Sequence, residues 1–161
     1  MTIMIIACCT FVFFIELAMG QYRGYILAKF GMVPYEITHG VDLNPQVALG
    51  PYITLLTSLF LHGSFLHLLG NMWFLWIFGN NIEDSVGSFK FLIFYLLGGV
   101  AASFLQIAFS ASSTVPVIGA SGAISAVLGA YILKFPRARI KTLLFLFIFV
   151  TLINVPAFNY Q

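Results

Sequence analysis

The sequence predicts an all-α polytopic membrane protein, and three observations carry that prediction. The 161 residues are 61% hydrophobic and only 7% charged, with a mean hydropathy of +1.03. A soluble domain is about 25% charged, so this chain lacks the polar surface to coat a globule and lipid must be its solvent. The apolar residues fall in runs long enough to cross a bilayer, which takes about 20 residues as a helix. Within those runs small residues cluster, where they let helix backbones approach closely. The net charge of +2 is small and gives no sign of a nucleic-acid partner.

Residues 1–19 supply the first span, with Glu16 placed near its end to reach interfacial water. The run lacks a basic leader segment, so it is expected to be retained. Cys8 and Cys9 are adjacent and apolar-flanked, which suits membrane-helix filler and implies no disulfide or metal framework. Residues 20–51 are rich in Gly, Pro and Tyr and carry Arg23, Lys29, Glu36, His39 and Asp42. They are too polar to span and too aromatic for a floppy linker, so a membrane-associated, partly helical loop is expected. Residues 52–79 form the second span, and "NNIEDSVGSFK" (80–90) reads as a polar turn. Residues 90–110 form the third, with Gly98, Gly99, Ala101, Ala102 and Ser103 as a small-residue face. A loop at 111–118 leads to a short fourth helix at 119–134, which "KFPRARIK" (134–141) closes with four positive charges. Residues 142–155, "TLLFLFIFVTLINV", are short for a span and fit either an incomplete helix or a membrane-embedded hairpin. There is no internal repeat and no soluble domain, so residues 1–161 are expected to be one membrane domain.

The basic residues set an orientation. With the amino terminus cytoplasmic, Lys90, Lys134, Arg137, Arg139 and Lys141 lie inside and only Arg23 and Lys29 outside. Five against two satisfies the positive-inside rule. His62, His67, Asn71 and Ser121 then share the outer half of the membrane.

Those polar residues need a reason to be there. In "LFLHGSFLHLLGNMWFLWIFG", His67 and Asn71 are four apart and share a helix face. His62, read as part of the same helix, lies about 140° around from His67. Such groups are costly in a span and face a cavity or the bundle interior; hydrogen bonding from helix to helix is the plainer role. In "VIGASGAISAVLGAY" (117–131), Ser121, Ser125 and Gly129 are spaced by four, as are Gly122, Ala126 and Ala130. That spacing alone predicts tight helix packing. Ser121 also begins the helix between Gly119 and Gly122, where free backbone N–H groups favour negative charge. A nucleophile placed there has anion-stabilising groups beside it. The soluble-hydrolase pattern G-x-S-x-G does not apply, because residue 123 is Ala.

Taken together, "HGSFLHLLGN", "GNNIEDSVGSFKFLIFYLLGG", "GASG" and "GAYILKFPRARI" resemble the rhomboid family of intramembrane serine proteases, in the family's order. The resemblance implies a six-helix bundle, of which about four to five helices are present here. It implies a Ser–His dyad without an acid, cleavage of the transmembrane segments of protein substrates, and no cofactor or metal. Carried onto this chain, Ser121 is the nucleophile, and its N–H with His67 and Asn71 forms the oxyanion hole. Gly119 and Gly122 shape the nucleophile loop, and His62 holds the long first loop, 20–51.

One departure is serious. The family's general base is a histidine on the last helix, whereas His39, His62 and His67 all precede Ser121. His67 belongs on the oxyanion side and is poorly placed to serve as base. Ser125 stands where some relatives carry a tyrosine. The expectation is a protease truncated at its carboxy end and inactive as it stands, in a prokaryotic plasma membrane with its site opening outward. The alternative is a non-catalytic relative that binds or escorts membrane helices. A small transporter or channel would call for paired ionisable residues at mid-membrane or broken-helix repeats, and neither is found.

Overall fold

The computed structural model describes residues 1–43, 50–146 and 149–156. They form the expected helical membrane bundle. Residues 44–49 of the first loop, residues 147–148 and the last five residues lie outside the described ones.

Helix α1 (Thr2–Ala18) buries Ile5, Cys9, Phe13 and Glu16, which recur every three to four residues, and leaves Ile3, Met4, Phe11 and Phe14 exposed. That single stripe packs inward, and the rest of the surface suits lipid. Glu16 does not reach interfacial water, as its position near the helix end suggested. It is 1% exposed and partnered inside the fold. The chain then bends by 114° into a 3₁₀ turn and α2 (Arg23–Phe30), followed by α3 (Pro34–His39). The first loop is therefore partly helical. It is pinned internally by Lys29 Nζ, which donates to Asp42 Oδ2 at 2.6 Å. Paired backbone hydrogen bonds between Met32 and Val117 tie it to the loop before the last helix.

The second apolar run is not one helix. Short turns around α4 (Thr54–Thr57) end at Phe60, residues 61–64 are non-helical, and α5 (Phe65–Phe74) begins afresh. The two halves are bent by 80°. His62 therefore lies in the break, five residues ahead of His67 but not on its helix, which corrects the single-helix reading. The cause is local. Leu61 and Ser64 are extended, and the Ser64 side chain caps α5 by accepting from the His67 N–H at 3.1 Å.

After α5, one π-helical turn (Leu75–Gly79) passes into α6 (Asn80–Val86). The polar stretch from residue 80 was expected to be a turn, yet it is helical as far as Val86. Asn80 and Asn81 donate back to the carbonyls of Trp76 and Ile77 at 2.9 and 2.7 Å, and Ile82 is buried in the core. These polar residues decorate a helix end instead of breaking it. Gly87, at φ +88, makes the whole reversal into α7 (Ser88–Ser110).

Helix α7 is the one described helix long and apolar enough to cross a membrane by itself. It lies against α8 (Ser121–Lys134) through small residues. A Cβ on Gly98 would stand 2.6 Å from that of Ala126, and one on Gly122 would stand 2.6 Å from that of Ala102. Lipid tails are as apolar as these side chains, so closeness of fit holds the pair together. Of the two small-residue stripes on α8, only Gly122–Ala126–Ala130 packs against α7; Ser121, Ser125 and Gly129 are exposed. The core beneath gathers Phe13, Leu75, Phe91, Tyr95, Ala123 and Val127.

Beyond α8, strands β1 (Arg139–Leu146) and β2 (Phe149–Pro156) pair antiparallel, with Arg139 opposite Pro156 and Leu146 opposite Phe149. Among the described residues this apolar stretch is a two-stranded ribbon attached to the helical bundle. Its enrichment in Thr, Val, Ile and Phe suits a pleated backbone.

Candidate active site

Gly119 is the pivot of the site. Its N–H donates to the Ser58 carbonyl at 2.8 Å, which fixes the 117–120 loop against the turn after α4. Its φ of +117 is open only to glycine. A Cβ there would lie 2.7 Å from His67 Cε1, 2.8 Å from His67 Nε2 and 3.6 Å from Asn71 Nδ2. The bare backbone at 119 therefore rests on the two α5 side chains, which rise on one face because they are four residues apart. His67 is half-buried and Asn71 is buried. Asn71 Nδ2 has no hydrogen-bond partner among the described residues. A buried amide donor without a partner is costly, and here it is aimed at the loop that precedes Ser121.

Ser121 is the first residue of α8, so its N–H is one of the free donors at that helix start. Its side chain is exposed and hydrogen-bonds to neither His67 nor Asn71 among the described residues. It borders a cavity of ≈ 150 Å³ whose lining includes Ser58, Ser103, Gln106, Gly119 and Gly122. Ser125 does not take part: its Oγ donates to the Ser121 carbonyl at 2.8 Å, a bond within the helix.

His62 is fully buried, with its ring 5.2 Å from that of His67 and edge-on to it. Among the described residues its imidazole Nδ1 meets only the nearby Phe60 carbonyl, at 3.2 Å, and the main chain of His62 carries its connections to the rest of the fold. Arg23 Nη2, from the first loop, donates to the carbonyls of His62 and Gly63 at 2.9 and 3.0 Å. The His62 N–H donates to Glu16 Oε1 at 3.2 Å, and Arg23 pairs with Glu16 at 3.5 Å. The contact between residue 62 and the first loop thus runs through its backbone, not its imidazole.

The structure brings His67, Asn71 and Gly119 into contact, sets Ser121 and Gly122 at the adjoining helix start, and keeps His62 one layer behind. Sequence reasoning missed Ser58, Gln106 and the Glu16–Arg23 pair. The charge of Glu16 inside an apolar helix was the signal for the last of these, since a carboxylate in a span needs a partner.

Known proteins share much of this sequence. A family model for the rhomboid domain matches residues 50–160. The chain is 38% identical over 94 residues to rhomboid protease GluP of Bacillus subtilis, covering 58% of this chain and 18% of that protein. It is 36% identical over 94 residues to the mitochondrial presenilin-associated rhomboid-like protein A of Danio rerio, covering 57% and 24%. It is 29% identical over 102 residues to the chloroplastic RHOMBOID-like protein 9 of Arabidopsis thaliana, covering 63% and 23%. The matched stretch is less than a quarter of each relative. Bacterial, mitochondrial and chloroplast proteins match alike, which gives no support to the prokaryotic membrane expected from the sequence.

Proposed function

The chain belongs to the rhomboid family, and from that premise we propose that it is built for serine endopeptidase chemistry on the transmembrane segments of protein substrates. Ser121 Oγ attacks the scissile carbonyl, and a general base takes its proton. The oxygen that becomes negative is held by the Ser121 N–H, Asn71 Nδ2 and His67 Nε2. These donors are fixed before reaction in a low-dielectric site, where such stabilisation is largest. The positive end of α8 adds to it. The observation that carries the reading is the unpartnered Asn71 amide beside the His67 ring and the positive-φ Gly119.

The family places its base on a last-helix histidine, and no histidine follows Ser121 in these 161 residues. No proton acceptor is assigned among them, and little turnover is expected from these residues expressed alone. The alternative reading is a non-catalytic member that binds membrane helices, and the probe test below separates the two. The protein is read as a multi-pass membrane protein with its amino terminus cytoplasmic and the Ser121 site opening to the outer face. The test is a fluorophosphonate serine probe applied to the natural full-length protein in detergent. Labelling that disappears in Ser121→Ala supports the protease. Equal labelling of both, or none of either, sinks it and leaves the binding role.

A further inference from the structure

At the opposite end of the bundle from Ser121, a second groove of ≈ 250 Å³ runs between α6, α7 and α8. Its apolar walls are Ile82, Val86, Phe94 and Ala130, and Lys90 stands among them. Lys90 and Phe94 are four apart on α7, and Ala130 and Lys134 are four apart on α8. Each lysine therefore shares a helix face with a groove residue and lies one turn nearer the membrane surface. Helices α7 and α8 run in opposite senses, so both cations lie toward the same surface, Lys90 in the groove itself and Lys134 one turn beyond Ala130. The turn after α8 adds a second concavity of ≈ 560 Å³, lined by Lys134, Phe135, Pro136, Arg137 and Ala138. Lys90, Lys134 and Arg137 are all exposed. The acids on this side are Glu83 and Asp84 of α6. Glu83 is already engaged, accepting from the Thr2 N–H at 2.7 Å, from the Met1 amine and from Ser88 Oγ.

We propose that this groove seats an acyl chain of an anionic phospholipid whose phosphate is held by Lys90 and the Lys134–Arg137 turn. The complementarity has two parts. An apolar slot open to the side of the bundle fits a hydrocarbon chain, and clustered cations at its surface end fit a phosphate. Lys and Arg next to a membrane span attract anionic lipid with a strength that counts each cation. Cations that served only to orient the chain would need no apolar slot beneath them.

The full-length protein is purified with a mixture of phosphatidylglycerol and phosphatidylcholine, and bound lipid is read by native mass spectrometry. Phosphatidylglycerol is expected to be retained preferentially, with the preference falling about fivefold for each of Lys90→Gln and Lys134→Gln. Lys90→Arg keeps the charge and is expected to keep the preference. Val86→Trp fills the slot at an exposed position without touching the charges, and is expected to cut retention as well. Unchanged elution and circular dichroism establish that each variant is folded, with Lys90→Arg as the reference if Lys90→Gln is not. Equal retention of the two lipids overturns the proposal. So does full retention in Val86→Trp, because the cations would then act without a seat.

Discussion

Gly119 shows how much a single missing atom can decide. Its φ of +117, and the 2.8 Å that would separate a Cβ from His67 Nε2, leave no room for alanine. Gly119→Ala is expected to lose most fluorophosphonate labelling of the full-length protein. Holding alanine in so sparsely populated a backbone conformation costs of order 1–3 kcal/mol, and thermal unfolding in detergent separates loss of the site from loss of the fold. Asn71→Ala tests the proposed oxyanion donor. Losing one such donor lowers kcat by about 10²–10³, measured as cleavage of a transmembrane reporter substrate. Ser125→Ala, which removes only a bond within the helix, is expected to leave the rate nearly unchanged. If Asn71→Ala cleaved as fast as Ser125→Ala, the amide would have no part in the chemistry. Glu16 and Arg23 make a different kind of pair. Breaking a buried ion pair by removing one partner costs about 3–5 kcal/mol, whereas replacing both by apolar residues is often neutral. Arg23→Met is thus expected to lower the unfolding temperature markedly, and Glu16→Met with Arg23→Met to recover only part of it, because the His62 N–H and the His62 and Gly63 carbonyls then lose these partners.

At the scale of elements, the α7–α8 contact is the join that sets where Ser121 stands. It is made of absent side chains: Gly98 against Ala126 and Gly122 against Ala102, while Gly99 on the same helix admits Leu59 from the turn after α4. Gly122→Val forces the helices apart, at a cost of about 1–3 kcal/mol for overpacking. Gly129→Ala, with nothing within 4 Å, is expected to raise stability by up to about 1 kcal/mol through helix propensity. Unfolding of the two variants in mixed micelles checks both signs. This contact was legible in the sequence, because a four-residue repeat of small residues has one geometric meaning on a helix. So were His67 and Asn71 as neighbours, for the same reason. The break before Phe65 was not. The run from Leu59 to Gly79 is mostly apolar, and its polar residues His62, His67 and Asn71 are spaced as a continuing helix allows, so the break signalled by Gly63 and the capping Ser64 is not weighed by periodicity against the favourable residues on either side. The helix through Asn80–Val86 was hidden for the converse reason: polar side chains at a helix end look like a turn until their bonds to Trp76 and Ile77 are seen. The tether between the first loop and residues 62–63 was hidden because carbonyl oxygens, which every residue carries, receive it.

At the scale of the whole molecule, the charges and the site impose opposite demands on the two ends of the bundle. Ser121 begins α8 and Lys134 ends it, in a helix of 14 residues, or about 20 Å of rise. That is somewhat less than the ~30 Å hydrocarbon core. If Lys134 rests at one surface, Ser121 is held below the other, in reach of a substrate span yet screened from bulk water. The orientation makes this testable without any substrate. Single cysteines placed at Ser113, in the loop before α8, and at Arg137, in the turn after it, in a Cys8→Ser and Cys9→Ser background, report the two faces. A membrane-impermeant maleimide on intact spheroplasts or right-side-out vesicles is expected to label position 113 and spare position 137 until the membrane is opened. Cys8 lies on the exposed face of α1, whereas Cys9 is buried in the core, so the doubly substituted background is first checked for an unchanged unfolding temperature. The reverse labelling pattern would put the proposed site on the cytoplasmic side and the cation cluster outside, against the positive-inside rule. Labelling of both positions from one side would mean that α8 does not cross, and that Ser121 is not held at depth by the length of its own helix.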